Sequence, residues 1–437
     1  MRKVTPRTTN TAFEQPLVIR GGTPLKGELR VLSAKNSALK LVAASLLTAE
    51  PVTLLEAPRI RDIEVMLELL SHLGTRYAWE GPKLHLHTPE ITNTVAPYEL
   101  VSKMRASFIV LGALVARAGE GTMPLPGGCA FGPRPVDQHI KALRALGAEV
   151  TEEAGTFTAR KVKPLKGRVV YDIPTLGGTE QALLATALGG EATLVGAAQE
   201  PEIGDLCRFL GMLGAKVEGM GSSILHLQGA GVLGGGKYRA IPDRIEAGTL
   251  LLAAAATRGN ITLTNVEPLH LDALLDKLSQ SGHLIETGPD WVRLTSSMNP
   301  APFNVEAREY PGFATDLQPP VSAYLATVEG SSIVTDRVYP DRFTHVGELQ
   351  RMGADMNVKE RALAINGKPL SGAPVKAQDI RAGGALVIAA LAAEGETTIE
   401  GTKYIERGYE DIAERLSMVG ADIHLGAPEQ VLSLAAD

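Results

Sequence analysis

The sequence predicts an α/β protein of two domains, in each of which helices are enclosed by small sheets. The first observation is a helix-ending glycine motif that recurs six times, as HLGT, ALGA, MLGA, QSGH, RMGA and MVGA, at spacings of 73, 67, 68, 71 and 67 residues. The second is an apolar helix followed by a β-branched strand ahead of each copy. The third is the length of 437 residues, which exceeds what one core usually supports. We therefore expect three repeats in each domain.

The sequence pattern of each repeat predicts the same order of secondary-structure elements, βαβαββ. The turn and second strand recur as AEPVTLL, GEGTMPL, GGEATLV, RGNITLT, EGSSIVT and EGETTIE, with β-branched residues at alternate positions. The first helix is apolar on nearly every side, as in ALLATALGG and ALVIAALAA, which predicts burial. The second helix carries spaced charges and ends at the glycine, which suits a left-handed C-terminal position. We expect this helix on the outside.

The composition counts against several function classes. A net charge of −6 and an aromatic content of 4% argue against nucleic-acid binding, which uses basic and aromatic surfaces. Two cysteines without clustered Cys/His spacing predict neither a disulfide framework nor zinc. The N-terminal MRKVTPRTTNTAFEQP lacks the apolar segment of a signal peptide, and no apolar run reaches the ~18 residues of a membrane span. From these features we expect a cytoplasmic protein that neither inserts into a membrane nor binds a metal. No Walker or dinucleotide motif occurs, so we expect no organic cofactor either.

Polar and charged residues cluster at the predicted starts of the buried helices. In chain order they are Lys35 and Asn36, Arg105, Thr179 and Glu180, Arg244 and Glu246, Asp316, and Asp379 and Arg381. If the buried helices of a domain run in parallel, their N-terminal amides and positive dipole ends reach one surface, where anions are favoured. Two such surfaces facing one another would form an anion-binding cleft.

Three further arginines, Arg134, Arg342 and Arg407, come just ahead of outer helices. Planar guanidinium groups suit phosphate and carboxylate oxygens, with charge-assisted hydrogen bonds of about 1.5–3 kcal/mol each. For each arginine alone, a solvated surface charge or a partner for a neighbouring aspartate is the alternative. Their recurrence at equivalent points of a repeat favours a common ligand.

One cysteine lies in the loop PGGCAFGPRPVD, residues 126–137. Its glycines and prolines disfavour helix and strand, so we expect Cys129 on exposed or mobile backbone. The nearby Arg134 favours the thiolate form. A spare loop cysteine is the alternative. Cys207 has apolar neighbours at helical spacing, as in DLCRFLGMLG, which predicts core packing.

The chain resembles the enolpyruvyl transferases over nearly its whole length. The motifs that carry the resemblance are AKNSALKLVAASLLT, MRASFIVLG, PGGCAFGPRPVDQH, PDRIEAGT, YPGFATDLQ, DRFTHVGELQRMGA and ERGYEDIAERL. The resemblance implies a two-domain inside-out α/β barrel, with three βαβαββ repeats and buried parallel helices in each domain. It also implies that residues 1–34 pack with domain two, that residues 35–242 form domain one with the cysteine loop, and that residues 243–437 form domain two.

The activity implied by the resemblance is transfer of the enolpyruvyl group of phosphoenolpyruvate to the 3-hydroxyl of UDP-N-acetylglucosamine, with release of phosphate. This is the first committed step of peptidoglycan synthesis. The resemblance casts Cys129 as the proton donor and Asp316 as the base for the sugar hydroxyl. For Asp316 a helix N-cap is the alternative, since TDLQPP opens a helix. Asp379 assists proton transfer or forms an ion pair with Arg381.

The resemblance also implies two sets of binding residues. Phosphoenolpyruvate is expected at Lys35, Asn36, Arg134, Arg342, Arg381 and Arg407, of which Lys35, Arg134 and Arg407 hold the phosphate and Arg342 and Arg381 the carboxylate. The UDP-sugar is expected at Asn36, Arg105, Arg134, Pro135, Val136, Asp137, Gln138, Thr175, Leu176, Gly177, Asp316 and Val338. Ser33, Lys40 and the segment PTLGGTEQ depart from the usual family pattern.

Two other functions stay open at this point. One is the related enzyme that uses the same donor with shikimate 3-phosphate, against which the cysteine loop argues. The other is a regulator that binds the UDP-sugar without turnover, against which the joint presence of Lys35, Cys129, Asp316 and the arginines argues. The oligomeric state is not predicted.

Overall fold

The first part of the chain forms thirteen strands and seven helices in a computed structural model, which describes residues 15–126 and 136–427. The strands are β1 (Leu17–Arg20), β2 (Lys26–Arg30), β3 (Val52–Leu54), β4 (Arg76–Glu80), β5 (Lys83–His87), β6 (Glu120–Pro124), β7 (Glu149–Glu153), β8 (Thr156–Arg160), β9 (Lys166–Val170), β10 (Glu191–Val195), β11 (Lys216–Glu218), β12 (Ile224–Gln228) and β13 (Gly236–Tyr238). The helices are α1 (Lys35–Ala44), α2 (Arg61–His72), α3 (Tyr98–Val101), α4 (Val110–Ala118), α5 (Asp137–Ala145), α6 (Leu176–Thr186) and α7 (Pro201–Leu213), with 3₁₀ turns at Ser45–Leu47 and Arg105–Ile109.

The second part repeats the same kinds of element. Its strands are β14 (Asn260–Thr264), β15 (Leu284–Thr287), β16 (Trp291–Thr295), β17 (Val305–Ala307), β18 (Gly330–Asp336), β19 (Asp355–Lys359), β20 (Ala362–Gly367), β21 (Pro374–Lys376), β22 (Glu396–Glu400) and β23 (Asp422–Leu425). Its helices are α8 (Arg244–Ala256), α9 (Asp272–Gln280), α10 (Gln318–Leu325), α11 (Val346–Arg351), α12 (Ile380–Ala392), α13 (Thr402–Ile405) and α14 (Ile412–Met418), with 3₁₀ turns at Pro268–Leu271 and Thr315–Leu317.

The strands form one sheet for each sequence repeat. The orders are β13-β3-β5-β4, β6-β8-β7, β11-β12-β10-β9, β15-β16-β14-β2, β17-β18-β20-β19 and β21-β22-β1-β23. Five sheets contain a parallel pair and two antiparallel pairs; in one, Ile261 of β14 lies opposite Gly27 of β2 and Leu294 of β16. The α/β prediction with six repeated units is confirmed. Within the described ranges the sheets are separate and open, so their strands do not form one continuous closed wall.

Three strands pair with sheets that are distant in sequence. Strand β1 lies between β22 and β23, β2 pairs with β14, and β13 pairs with β3. The two chain connections that result run side by side, since the Ala34 amide donates to the Ile241 carbonyl at 2.8 Å and the Asp243 amide to the Leu32 carbonyl at 2.8 Å. The predicted domain bounds at residues 34/35 and 242/243 fall in these connections and stay a prediction.

Six buried helices fill two hydrophobic cores. In the first core α1, α4 and α6 contact one another, and in the second α8, α10 and α12 do so. Every residue from Ile245 to Ala256 of α8 is buried. The outer helices α2, α5, α7 and α9 bury one face only. The expectation of enclosed apolar helices and amphipathic outer ones is confirmed, and it follows from the burial of apolar area.

The six repeated glycines all take the left-handed backbone conformation. Their φ angles are 118° at Gly74, 92° at Gly147, 118° at Gly214, 95° at Gly282, 88° at Gly353 and 96° at Gly420. A side chain at such a position would strain the backbone, which explains why glycine ends each outer helix. In the part of the chain that the structure describes, no helix has the length and apolar character of a membrane span.

Candidate active site

The first turns of buried helices from both cores meet at one place. The Lys35 amide, at the start of α1, donates to the Asp243 carboxylate at 3.0 Å, and Asp243 itself caps α8. The Asn36 side-chain amide lies 3.5 Å from the Asp316 carboxylate, just ahead of α10. The Arg381 guanidinium, from the first turn of α12, also contacts Asp316. Helix N-termini favour anions, so this junction is suited to a negatively charged ligand.

The Asp316 carboxylate lies between two buried guanidinium groups. Arg342 donates to one carboxylate oxygen at 2.8 Å and Arg381 to the other at 2.8 Å. Both arginine side chains are 5% exposed, whereas Asp316 is 25% exposed. Burial alone would raise the pKa of Asp316, but the charges of Arg381 and Arg342 hold it well below the ordinary value. Asp316 is therefore a carboxylate at neutral pH.

The alternative of an N-cap for Asp316 is wrong. The N-cap residue of α10 is Leu317, and no side chain caps that helix. The physical reason is the pairing just described, because hydrogen bonds in which both partners are ionised outcompete those that a carboxylate accepts from neutral helix amides. The prolines predicted in the first turn are present there.

Asp379, unlike Asp316, caps a buried helix. Its Oδ1 accepts hydrogen bonds from the backbone amides of Arg381 at 2.8 Å and Ala382 at 2.9 Å, at the start of α12. The Thr344 hydroxyl donates to Oδ2 at 2.6 Å. The predicted ion pair with the Arg381 guanidinium is wrong, since that group pairs with Asp316. Its role in proton transfer stays a prediction.

Lys35 and Arg407 meet at a second buried carboxylate, that of Asp62. The Lys35 ammonium lies 2.8 Å from Oδ2 and the Arg407 Nε donates to Oδ1 at 2.7 Å. Burial lowers the pKa of Lys35, with a smaller contribution from the charges of Arg381 and Arg407, and Asp62 opposes this shift. Burial acts to raise the pKa of Asp62, yet the two cations bring it below the ordinary value.

Some of the residues predicted for the UDP-sugar, from the start of α5 and the segment before α6, lie around the start of α6. Gln138 donates to the carboxylates of Asp137 at 2.8 Å and Asp172 at 3.0 Å. Thr175 caps α6 by accepting from the Gly178 amide at 3.3 Å. Val136 is buried, and Leu176 is one of the exposed large apolar side chains.

Gly177 has a steric reason to be glycine. A Cβ placed there would lie 2.4 Å from Nε2 of the buried His139. His139 contacts Gln181 through Nδ1 at 3.3 Å, and burial lowers its pKa to about 4, with a further contribution from the charge of Arg105. A neutral imidazole therefore supports this segment, and Arg105, which begins a 3₁₀ turn, lies near it.

Val338 is joined to the Asp316 group through a short network. The Val338 amide donates to the Asp336 carboxylate at 2.9 Å, and the Thr315 hydroxyl donates to its other oxygen at 2.6 Å. Arg342 in turn donates to the Thr315 oxygen at 3.0 Å. The turn that contains Val338 is therefore fixed relative to Asp316. Three predicted residues, Cys129, Arg134 and Pro135, lie outside the described residues.

The sequence profile that matches this chain is that of EPSP synthase (3-phosphoshikimate 1-carboxyvinyltransferase), over residues 19–416. The chain belongs to this family. Two relatives from strains of Thermus thermophilus are each 68% identical over 421 residues, which is 96% of this chain and 99% of theirs. A relative from Deinococcus radiodurans is 53% identical over 425 residues, 97% of this chain and 99% of its own. All three are named UDP-N-acetylglucosamine 1-carboxyvinyltransferase.

Solved structures of an enolpyruvyl transferase and of an EPSP synthase share the fold. The enolpyruvyl transferase NikO from Streptomyces tendae superposes with a TM-score of 0.84 at 25% identity, covering 94% of this chain and 99% of its own. An EPSP synthase from Acinetobacter baumannii gives a TM-score of 0.72 at 19% identity, over 94% and 100% of the two chains. The fold expected from the resemblance is thereby confirmed.

Sequence reasoning missed Asp62 in this member of the EPSP synthase family, although a signal for it was present. Asp62 and Glu202 stand equally far ahead of the glycines that end α2 and α7, Gly74 and Gly214. Both acids are buried and both pair with cations, Glu202 with Arg244 at 3.0 Å. Attention to acidic as well as basic residues at equivalent repeat positions could have found them. Asp243, Thr315, Asp336 and Thr344 were also missed, because their roles depend on contacts between distant segments.

The departure from the family pattern at Lys40 has a structural partner. The Lys40 ammonium lies 3.2 Å from the Glu180 carboxylate, with side-chain exposures of 11% and 2%. Burial raises the pKa of Glu180, and Lys40 opposes that shift. Ser33 lies in the paired connections between the two cores, where it forms a bridge with Pro242.

Proposed function

We propose that this chain transfers the enolpyruvyl group of phosphoenolpyruvate to the 3-hydroxyl of UDP-N-acetylglucosamine and releases phosphate. The observation that carries the proposal is the pair of cation clusters at the junction of helix starts, Lys35 with Arg407 and Arg342 with Arg381. Two separate clusters suit a three-carbon donor with a phosphate at one end and a carboxylate at the other. The acceptor follows from full-length relatives at 68% identity that are named for it.

Donor binding is proposed to use both clusters. Lys35, Arg407 and Arg134 bind the phosphate, while Arg342 and Arg381 bind the carboxylate and Asn36 lies between donor and acceptor. Guanidinium groups bind such oxygens with short, directional hydrogen bonds. Asp316 holds Arg342 and Arg381 in place, since it contacts both.

The addition step needs an acid that protonates the donor and a base that deprotonates the sugar hydroxyl. Cys129 donates a proton to the methylene carbon of phosphoenolpyruvate, while the 3-hydroxyl oxygen of the sugar bonds to the adjacent carbon. Asp316 accepts the hydroxyl proton, as its ionised state permits. The product of this step is a tetrahedral adduct that still carries the phosphate.

The elimination step reverses the first proton transfer. A base removes a proton from the methyl group, the carbon–oxygen bond to phosphate breaks, and the enol ether double bond forms. Negative charge grows on the departing phosphate, and fixed cations such as Lys35 and Arg407 stabilise that charge. Asp379 assists the proton transfers from the start of α12, where its carboxylate is held by two amides and a hydroxyl.

The UDP-sugar is proposed to bind beside this site. Its ligands are Asn36, Arg105, residues 134–138, residues 175–177, Asp316 and Val338. The product would feed peptidoglycan synthesis, and thus cell-wall formation, in the cytoplasm, where phosphoenolpyruvate and nucleotide sugars are available.

The test is phosphate release by the purified chain with phosphoenolpyruvate and either UDP-N-acetylglucosamine or shikimate 3-phosphate. We expect phosphate release from phosphoenolpyruvate in the presence of UDP-N-acetylglucosamine and none in the presence of shikimate 3-phosphate. Release with shikimate 3-phosphate instead would assign the related synthase activity. Tight UDP-sugar binding by calorimetry without phosphate release would identify a binding-only regulator.

A further inference from the structure

Asp62 joins two cations that come from distant parts of the chain. Its carboxylate lies 2.8 Å from the Lys35 ammonium in the first core and 2.7 Å from the Arg407 Nε, which belongs to the segment between α13 and α14. The Asp62 side chain is 5% exposed. A buried carboxylate with one oxygen on each cation fixes both side chains at once.

The hydrogen-bond donors of the two cations are not used up by Asp62. An ammonium has three N–H donors and a guanidinium has five. Among the described residues, Asp62 takes one donor from Lys35 and one from Arg407, and the Lys103 carbonyl lies 3.4 Å from a second nitrogen of Arg407. Both side chains can therefore stay on Asp62 while their other N–H groups bind a phosphate.

Asp62 also offsets positive charge around Lys35. The groups that face Lys35 are the cations Arg381 and Arg407, the carboxylate of Asp62, and the Asp243 carboxylate on its backbone amide. Burial and the two guanidinium groups lower the pKa of Lys35, and Asp62 acts in the opposite direction. Removing the Asp62 charge would therefore lower the pKa of Lys35 further.

We infer that Asp62 is a positioning residue of the donor-phosphate site, which orients Lys35 and Arg407 toward one phosphate. This inference rests on the proposed function. A simpler role would be that of a carboxylate in the first turn of α2, where negative charge is favoured by the helix dipole. Glu64 lies in the same turn and pairs with Arg61 at the surface, with 51% exposure. Glu64→Gln is therefore a matched control for the dipole effect.

The experiment compares Asp62→Asn and Glu64→Gln with the unchanged chain, by steady-state kinetics from neutral to alkaline pH. We expect kcat/KM for phosphoenolpyruvate to fall about 10- to 100-fold in Asp62→Asn, the effect of losing charge-assisted hydrogen bonds. The alkaline limb of its pH profile should move to lower pH, because Lys35 loses its proton more readily. KM for the UDP-sugar should stay within about twofold, and Glu64→Gln should match the unchanged chain in all three measurements. Asp62→Glu, which restores the charge, should recover part of the loss.

Several results would overturn the inference. One is an Asp62→Asn variant with the unchanged pH limb and the unchanged KM for phosphoenolpyruvate. Another is an equal loss in Glu64→Gln. Calorimetry measures phosphoenolpyruvate binding without turnover. Weaker binding in Asp62→Asn than in Glu64→Gln and the unchanged chain would support the role of Asp62. Equal binding by all three chains would contradict it. If the unchanged chain binds the donor but releases no phosphate with the UDP-sugar, the proposed function fails while the Asp62 comparison still stands.

Discussion

The Arg342 guanidinium lies 2.8 Å from the Asp316 carboxylate, so a residue proposed for the donor carboxylate is paired with the proposed base. Arg381 makes the equivalent contact with the other oxygen at 2.8 Å. Both cations hold the pKa of Asp316 well below its ordinary value. A substrate carboxylate that neutralises these arginines would let burial dominate and strengthen the base. If these residues have the proposed roles, we therefore expect donor binding and base strength to be coupled at this site.

Arg342→Gln should make this coupling visible in the pH dependence of kcat/KM. The folded pKa of Asp316 is depressed, so its ionised form persists to low pH in the unchanged chain. Losing one cation raises that pKa, and the acid limb of the profile should move to higher pH, with a fall in kcat/KM at every pH. Arg337→Gln is the control, because Arg337 is 66% exposed and pairs with Glu306 at the surface. An acid limb that does not move in Arg342→Gln would contradict the coupling.

The two cysteines should differ in both activity and reactivity. Cys129→Ser should lose most phosphate release and should resist inactivation by iodoacetamide or an epoxide phosphonate, as expected of a proton-donating thiol. Cys207 is 2% exposed in the first core, and burial raises its pKa to about 12, so it stays protonated and unreactive. Cys207→Ala should therefore change neither property, apart from a small loss of stability. Equal inactivation of the Cys129→Ser variant and the unchanged chain would remove Cys129 from the mechanism.

The buried pair of Glu202 and Arg244 should matter for stability. The Arg244 Nε lies 3.0 Å from the carboxylate, and the two side chains are 4% and 10% exposed. Arg244→Met leaves a buried carboxylate without its cation, so unfolding free energy in urea should fall by about 3–5 kcal/mol. Lys216→Met removes one partner of the surface pair Lys216–Glu218 and should have no measurable effect. Similar urea midpoints for the two variants would contradict the expectation that the buried pair contributes more to stability than the surface pair.

His283 should make stability depend on pH on the acid side. The Ser297 amide donates to its Nδ1 at 3.0 Å, so neutral His283 carries its proton on Nε2, which donates to the Tyr324 hydroxyl at 2.7 Å. Burial lowers the pKa of His283 to about 4. The unfolded chain therefore binds a proton that the folded chain does not between about pH 6.5 and 4, and stability falls across that interval.

This loss should amount to about 2 kcal/mol, allowing for solvent screening. It should disappear in His283→Gln, which cannot titrate. Urea unfolding of both chains at several pH values measures the difference. A steeper acid loss in His283→Gln than in the unchanged chain would contradict the assigned protonation state.

The fold could be predicted in detail because its determinants are local. Six glycines at a regular spacing take left-handed φ angles that other residues adopt at a cost, so they mark the ends of the outer helices. Helices without polar faces, such as Ile380–Ala392, can be stable only when enclosed on all sides. The residues at their starts, including Lys35 and Arg381, were likewise identifiable, because charged groups are unexpected next to buried helices.

The sequence by itself determined the repeats, the buried helices and the cations at their first turns, since each depends on neighbouring residues in the chain. Only the tertiary structure decided which partner each cation has. In the folded chain Asp62 pairs with Lys35 and Arg407. Asp316 pairs with Arg342 and Arg381 and does not cap a helix. The tertiary structure also decided which strands these segments pair with, β22 and β23 for β1 and β14 for β2. The physical reason is that the ion pairs join residues 26 to 345 positions apart and the strand pairs join residues from the two parts of the chain. Their geometry exists only once the chain has folded.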